Sequence, residues 1–208
     1  MTTYYLIRHG STDYIGKELS GRMGGIHLNE TGRREVEGLA QRLAHAPLQA
    51  VYSSPLERAL ETAEPVARRV GSEVRVSQAF HELNFGDWEG SSFGELHGNE
   101  HWQRFNTFRS GVRPPGGELM LEAQARAVAE MERLRLAHAG ESIAIISHAD
   151  VIRAILCHYA AIPLDLLQRI EISPASLSIL VLHETGPEIR AVNYRADDGF
   201  FTSQVAAP

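Results

Sequence analysis

A single cysteine, Cys157, stands among 208 residues, which excludes an intramolecular disulfide framework. It falls within the apolar helical pattern of Ile152, Ile155 and Leu156, where a buried, inert thiol is expected and a reducing cytoplasm is the compartment that suits it. No window approaches the roughly 18 apolar residues of a membrane span. Met1-Thr2-Thr3 runs straight into Tyr4-Tyr5-Leu6-Ile7, with neither the basic n-region nor the long apolar h-region of a secretory signal. Positive charge is also scarce, 20 Lys and Arg against 26 Asp and Glu for a formal net charge of −6. Nucleic acid and anionic membranes both need a basic footprint, so neither is expected as a partner, and any affinity for phosphate has to be local. Internal repeats and low-complexity tracts are absent as well.

What is present reads as a folded α/β chain. A hydrophobic fraction of 43% and a charged fraction of 22% are ordinary for a globular protein. The length suffices for one domain, expected over residues 1–208, that buries most of its apolar surface. Short apolar runs alternate with helical periodicity, so a three-layer α/β/α sandwich around a mostly parallel mixed sheet is expected. Residues 4–7, 50–52, 74–76 and 142–146 read as strands, and residues 176–183 and 188–194 as an antiparallel pair joined across Thr185-Gly186-Pro187. Asn29 caps a helix with Val36, Leu39, Ala40 and Leu43 inward. A second helix from Leu56 to Gly71 buries Leu60, Ala63, Ala67 and Val70, and Pro65 should kink or break it. A long helix to about Ala139 presents Leu121, Ala125, Val128 and Met131, and another runs from His148 to about Tyr159. Residues 91 to 117, rich in Gly, Ser, Asn, His and aromatics and ending in Arg113-Pro114-Pro115-Gly116-Gly117, read as a lid-like insertion. His81, Trp88, His97, His101 and Trp102, in or beside it, are expected to pack it.

The segment that carries chemistry is Leu6-Ile7-Arg8-His9-Gly10, an apolar run too short for a helix that closes on a cation, an imidazole and a glycine. Imidazole, with an ordinary pKa of about 6.5, is largely neutral at pH 7 and can attack phosphorus. A phosphate monoester repels nucleophiles by its own charge, so its nonbridging oxygens must be neutralised first, a task suited to the planar fork of arginine. Arg8 is one candidate. Arg58 is the other, because it starts a helix after a strand and a Ser53-Ser54-Pro55 turn and so faces the carboxyl ends of the strands, where open α/β sheets bind ligands. His148 closes the run Ile143-Ala144-Ile145-Ile146-Ser147 and opens a helix whose first N–H groups favour anions. No thiolate or carboxylate set at zinc-like spacing accompanies His9 and His148, so neither a metal nor another cofactor is expected. Expelling an alkoxide needs a proton, so a carboxylic acid should face the leaving oxygen.

Four segments, Leu6 to Gly10, Ser53 to Ala63, Glu82 to Gly90 and Ser147 to Asp150, resemble in order and spacing the histidine phosphatase superfamily, the phosphoglycerate mutase-like proteins, over residues 4 to about 195. Phe85-Gly86-Asp87-Trp88-Glu89-Gly90 is most similar to the α-ribazole phosphatase and broad-specificity phosphatase branch. The resemblance implies a metal-independent phosphatase of small phosphate monoesters. It would act through a phosphohistidine at His9, with Arg8, Arg58 and a charged His148 on the phosphoryl group and Glu82 as acid and then base. It also implies contacts from Ser11, Gly21, Arg22 and the Ala149 N–H, a small phosphate ester as the partner, and a monomer or homodimer. The sequence departs from the common pattern at Ser11, often glutamate, and at Ile15, where many relatives carry an asparagine that touches phosphate. A phosphoglycerate mutase is the nearest rival, but mutases are usually longer between the acid and the second histidine. A catalytically silent phospho-ligand module would need neither His9 nor Glu82, and a metal-dependent hydrolase lacks ligands.

Overall fold

Side-chain alternation along the strands decides the architecture. The computed structural model describes residues 1–195, so residues 196–208 of the expected domain lie outside the described residues. Along β1 (Thr2–Arg8), Tyr5 and Ile7 enter one hydrophobic cluster while Tyr4 and Leu6 enter another, the period-two split of a strand buried on both faces. β2 (Leu48–Ser53) divides in the same way, with Val51 on the first side and Ala50 and Tyr52 on the second. The first cluster is closed by α1 (Glu30–Leu43) and α2 (Glu57–Val70). After β3 (Val74–Val76), the short helices α3 (Phe93–His97) and α4 (Glu100–Thr107) precede α5 (Met120–Ala137). β4 (Ser142–Ser147) leads into α6 (Ala149–Tyr159), and α5 and α6 close the second cluster. β5 (Leu177–His183) and β6 (Gly186–Tyr194) follow.

The sheet order is β3-β2-β4-β1-β5-β6, parallel from β3 to β1 and antiparallel from β1 to β6. The expected mixed, mostly parallel sheet with helices on both faces is therefore observed. β1 and β4 pair with Ile7 opposite Ile146 and Arg8 opposite Ser147, so the next residue of each strand, His9 and His148, leaves the sheet at the same carboxyl end. No helix among the described residues is long and apolar enough to cross a membrane. Cys157 is a free, fully buried thiol.

Local chemistry explains most boundaries and two corrections. The Asn29 side chain accepts a hydrogen bond from the Gly32 N–H at 2.9 Å, capping α1 as expected. Gly71 ends α2 at φ +69°, a conformation that glycine adopts without a Cβ clash. Pro65 does not break α2, which is continuous from Glu57 to Val70. Burial of Ala59, Ala63, Val66 and Ala67 against the sheet holds the helix across the missing donor. The buried face of α5 is Met120, Ala123, Ala127, Met131 and Leu134, whereas Leu121 is exposed. Alanines at 123, 125, 127 and 129 weigh equally on either face, so hydrophobic periodicity alone misplaced the stripe.

The insertion at 91–117 carries more regular structure than its composition indicates. Ser92 and Glu95 form a reciprocal capping box at α3, and Asn99 caps α4, which stabilises helices that are too short to persist alone. A third cluster gathers Trp88, Leu96, Phe105, Val112 and Met120 over Leu83 and Phe85. Trp88 meets Trp102 and Phe105 edge-on at centroid distances of 5.3 and 5.4 Å, so the tryptophans pack this layer, as expected.

Two helical glycines should respond oppositely to alanine. A Cβ on Gly32 would lie 2.1 Å from the Ser11 carbonyl oxygen, whereas one on the exposed Gly94 of α3 would meet only the Ser92 Oγ at 3.8 Å. Gly94→Ala should raise stability by roughly 0.5–1 kcal/mol through helix propensity, and Gly32→Ala should lower it. Thermal unfolding of both variants checks the sign.

Candidate active site

At the carboxyl end of the sheet the chain brings together the five residues singled out for phosphoryl chemistry. The His9 backbone is fixed on two sides, its N–H donating to the Ser147 carbonyl at 3.0 Å and its carbonyl accepting from the Ala175 N–H at 3.2 Å. The Nδ1 of His9 lies 2.8 Å from the Gly10 carbonyl oxygen. A carbonyl only accepts, so Nδ1 carries the proton and the Nε2 lone pair is left free. Burial and the charges of Arg58 and Arg8 hold the His9 pKa well below the ordinary imidazole value, against a smaller opposite effect of Gly10. The ring is therefore neutral at pH 7. Next to it, His148 is fully buried, with ring centroids 5.2 Å apart.

The surroundings of His148 disfavour a further positive charge beside Arg58. Burial, Arg58 and His9 all depress its pKa, so the ring is neutral here. Its Nε2 lies 2.8 Å from the Ser54 Oγ, and its buried Nδ1 has no hydrogen-bond partner. If the Ser54 hydroxyl donates to Nε2, the proton resides on Nδ1 and is available to an acceptor.

Arginine nitrogens show the same pattern of unmatched donors. Arg58 is 1% exposed, its terminal NH2 donates to the Gly21 carbonyl at 2.7 Å, and its Nε and NH1 have no partner. Arg8 donates through NH1 to the Ile172 carbonyl at 2.7 Å, and its Nε is likewise unpaired. Thr62 ties the two chain segments together, accepting from the Gly10 N–H at 3.1 Å and donating to the Arg58 carbonyl at 2.7 Å. Buried polar atoms are almost always hydrogen-bonded, so unpaired donors on Arg8, Arg58 and His148 mark a site matched to an anion.

Glu82 supplies the acidic group. Its Oε1 accepts from the Leu83 N–H at 2.9 Å, and its Oε2 is 3.8 Å from His148 Nδ1. Burial and the negative charge of Asp150 push its pKa up to about 7, against Arg58, the Leu83 N–H and Arg8, which pull it down. Asp150 itself is held charged despite its burial by Arg109 at 2.8 Å and Arg153 at 3.0 Å. Arg109 follows α4 and stacks on Phe105 at 4.2 Å, so the 91–117 segment reaches the first turn of α6 through this ion pair.

The expected outer contacts behave differently. The Ser11 hydroxyl and N–H both donate to the Glu35 carboxylate at 2.9 Å, so a helix residue anchors the loop after His9. Gly21 gives its carbonyl to Arg58. Arg22 spends Nε on the Glu82 carbonyl at 2.8 Å and NH2 on Glu118 at 2.8 Å. Ala149 opens α6 directly after His148. His81, beside Glu82, is pushed down to about 4 by burial and by Arg22, Arg126 and Arg58, so it is neutral. Sequence reasoning did not single out Glu35, Glu118 or Arg126, and it named Ser54, Thr62 and Asp150 only as parts of motifs. No group of three or more His, Cys, Asp or Glu able to hold a metal ion occurs among the described residues.

Comparison with known proteins agrees with this arrangement. Residues 4–195 match the family model of the histidine phosphatase superfamily, branch 1. Bifunctional protein Rv2228c of Mycobacterium tuberculosis is 32% identical over 201 residues, 92% of this chain and 54% of that protein, so the chain spans about half the length of this relative. Phosphoserine phosphatase 1 of Hydrogenobacter thermophilus is 27% identical over 206 residues, 97% of this chain and 96% of that protein. Among solved structures, YhfR of Bacillus stearothermophilus superposes with a TM-score of 0.87 at 27% identity, covering 93% of this chain and 98% of that one. With a family model spanning nearly all described residues and the same end of the sheet carrying His9, Arg58, Glu82 and His148, the chain belongs to the histidine phosphatase superfamily, branch 1.

Proposed function

We propose that the protein is a metal-independent phosphatase of small phosphate monoesters that works through a phosphohistidine at His9. The observation that carries this reading is the meeting of a free imidazole lone pair at His9 Nε2 with unpaired donors of Arg8, Arg58 and His148 and a carboxyl that is half protonated near pH 7. In the first step His9 Nε2 attacks phosphorus, the ester P–O bond breaks, and protonated Glu82 gives its proton to the departing alkoxide. In the second step water attacks phosphorus while the Glu82 carboxylate takes a proton from that water, the P–Nε2 bond breaks with its electron pair returning to Nε2, and inorganic phosphate leaves with His9 neutral again. The Nδ1 proton stays on His9 throughout, donated to the Gly10 carbonyl. The arginine forks and the His148 N–H meet the charge that builds on the equatorial oxygens. Similarity to Phosphoserine phosphatase 1 of Hydrogenobacter thermophilus supports hydrolysis over transfer to a second alcohol.

Three outcomes follow. In the presence of a chelator, a pre-steady-state burst with an alkyl phosphate should leave acid-labile, base-stable phosphate on the wild type and none on His9→Ala. A labelled His9→Ala protein, or a burst abolished by the chelator, would refute the reading.

Replacing Glu82 with Gln should slow phosphorylation by an alkyl phosphate roughly 10²- to 10⁴-fold, the usual worth of general acid catalysis. A nitrophenyl phosphate expels a stable phenolate and should be slowed far less. Equal losses for both esters in the burst would remove Glu82 from the acid role.

Asp150→Asn should move the high-pH fall of alkyl-ester phosphorylation to lower pH. Removing a neighbouring negative charge makes the Glu82 proton easier to lose, so the acid form disappears earlier as pH rises. A limb that stays in place or moves upward would contradict the coupling.

A further inference from the structure

Glu118 follows the Pro114-Pro115-Gly116-Gly117 turn and sits beside the loop that carries Glu82. The two segments lie too close for a side chain between them: a Cβ on Gly86 would lie 2.0 Å from the Pro115 carbonyl oxygen, and one on Gly117 would lie 2.5 Å from that of Asn84. Backbone bonds join them, from Glu118 N–H to the Asn84 carbonyl and from Asp87 N–H to the Pro115 carbonyl, both at 2.9 Å.

Into this seam Glu118 draws two arginines, Arg22 from a distant part of the chain and Arg126 from the following helix, α5. Its Oε2 accepts from Arg22 NH2 at 2.8 Å and Arg126 NH2 at 3.0 Å, and its Oε1 accepts from Arg126 Nε at 2.8 Å. Both guanidinium groups then donate to one oxygen, the Glu82 carbonyl, from Arg22 Nε at 2.8 Å and Arg126 NH2 at 3.1 Å. Arg126 also donates to the Ala79 carbonyl at 2.7 Å. The Glu118 carboxylate, 15% exposed, pairs with both guanidinium groups and so offsets their mutual repulsion at the shared carbonyl.

The clamped carbonyl belongs to the same planar peptide unit as the Leu83 N–H. That N–H holds Oε1 of the Glu82 carboxyl at 2.9 Å. Fixing the plane at its oxygen therefore fixes the direction of its N–H. The N–H in turn leaves Oε2 facing His148. We propose that Glu118 is a positioning residue for Glu82, acting through Arg22 and Arg126 to lock the 82–83 peptide and so to aim the proton donor. This inference rests on the assignment of Glu82 as the general acid. It gives Arg22 a role in holding the loop in place of the direct substrate contact implied by the resemblance.

The test is a double-mutant cycle of Glu118→Gln with Glu82→Gln, read in the phosphorylation burst with alkyl and nitrophenyl phosphates. Glu118→Gln keeps the shape and removes the charge. It should slow the alkyl ester roughly tenfold to a hundredfold, a part of the 10² to 10⁴ expected for the acid itself, with little effect on the aryl ester. In the Glu82→Gln background it should leave the alkyl-to-aryl ratio unchanged, since a unit that acts together is not additive. Equal slowing of both esters, or full additivity, overturns the positioning role while leaving the acid assignment standing. A Glu82→Gln variant with no leaving-group dependence overturns both. Should Glu118→Gln fail to fold, Arg126→Lys keeps the charge but cannot serve Glu118, Ala79 and Glu82 together, and it should show the same leaving-group signature. An unchanged ratio in folded Arg126→Lys counts against the proposal as decisively.

Discussion

Parallel pairing of β1 with β4 is the constraint on which the site depends. Their register sets Arg8 opposite Ser147, and a one-residue slip would send Tyr4, Leu6, Ile143 and Ile145 to the wrong face along with the two histidines. The apolar burial that stabilises the sheet therefore also fixes the distance between the His9 and His148 rings. The site inherits its precision from the core, since neither imidazole depends on a loop for its position along the strand.

That precision is used to hold positive groups out of water in a chain of net negative charge. Arg58 is almost wholly buried with two unpaired nitrogens, an arrangement that costs stability unless an anion is nearby. The nearest acids are arranged around this charge without cancelling it. Glu82 is kept about half protonated near pH 7 by burial and by Asp150, and Asp150 is bound by its own arginines. The field is left open toward a ligand, and both imidazoles are held neutral by the same burial and the same cations.

Much of this was legible in the sequence because strand ends and helix starts are local signals. His9, Arg58 and His148 each sit where an apolar run or a turn passes into the next element, and the alternation of short apolar runs with helical periodicity pointed to the layers. The supports were not legible. Thr62 bonding Gly10, Glu35 bonding Ser11 and Glu118 bonding Arg22 join residues separated by dozens of positions, and a carboxylate on a helix surface reads as solvated until its partner is known. The stripe on α5 failed for a simpler reason, because alanine carries too little hydrophobic contrast to fix a helical phase. The depressed pKa of His148 was not legible either, because burial depth, its largest cause, is a property of the folded packing.

The same strand order has a consequence for how the protein is made. β1 is central in the sheet, yet its partners are Ser142 to Ser147 on one side and Leu177 to Leu182 on the other. Closing such long loops is slow, and contacts of this separation form after local ones. During synthesis the segment bearing His9 therefore waits, apolar and unpaired, until the last strands have left the ribosome. The α1–α2 side can assemble around β2 earlier, so the surroundings of His9 form after it, and β1 is exposed to misassociation until then.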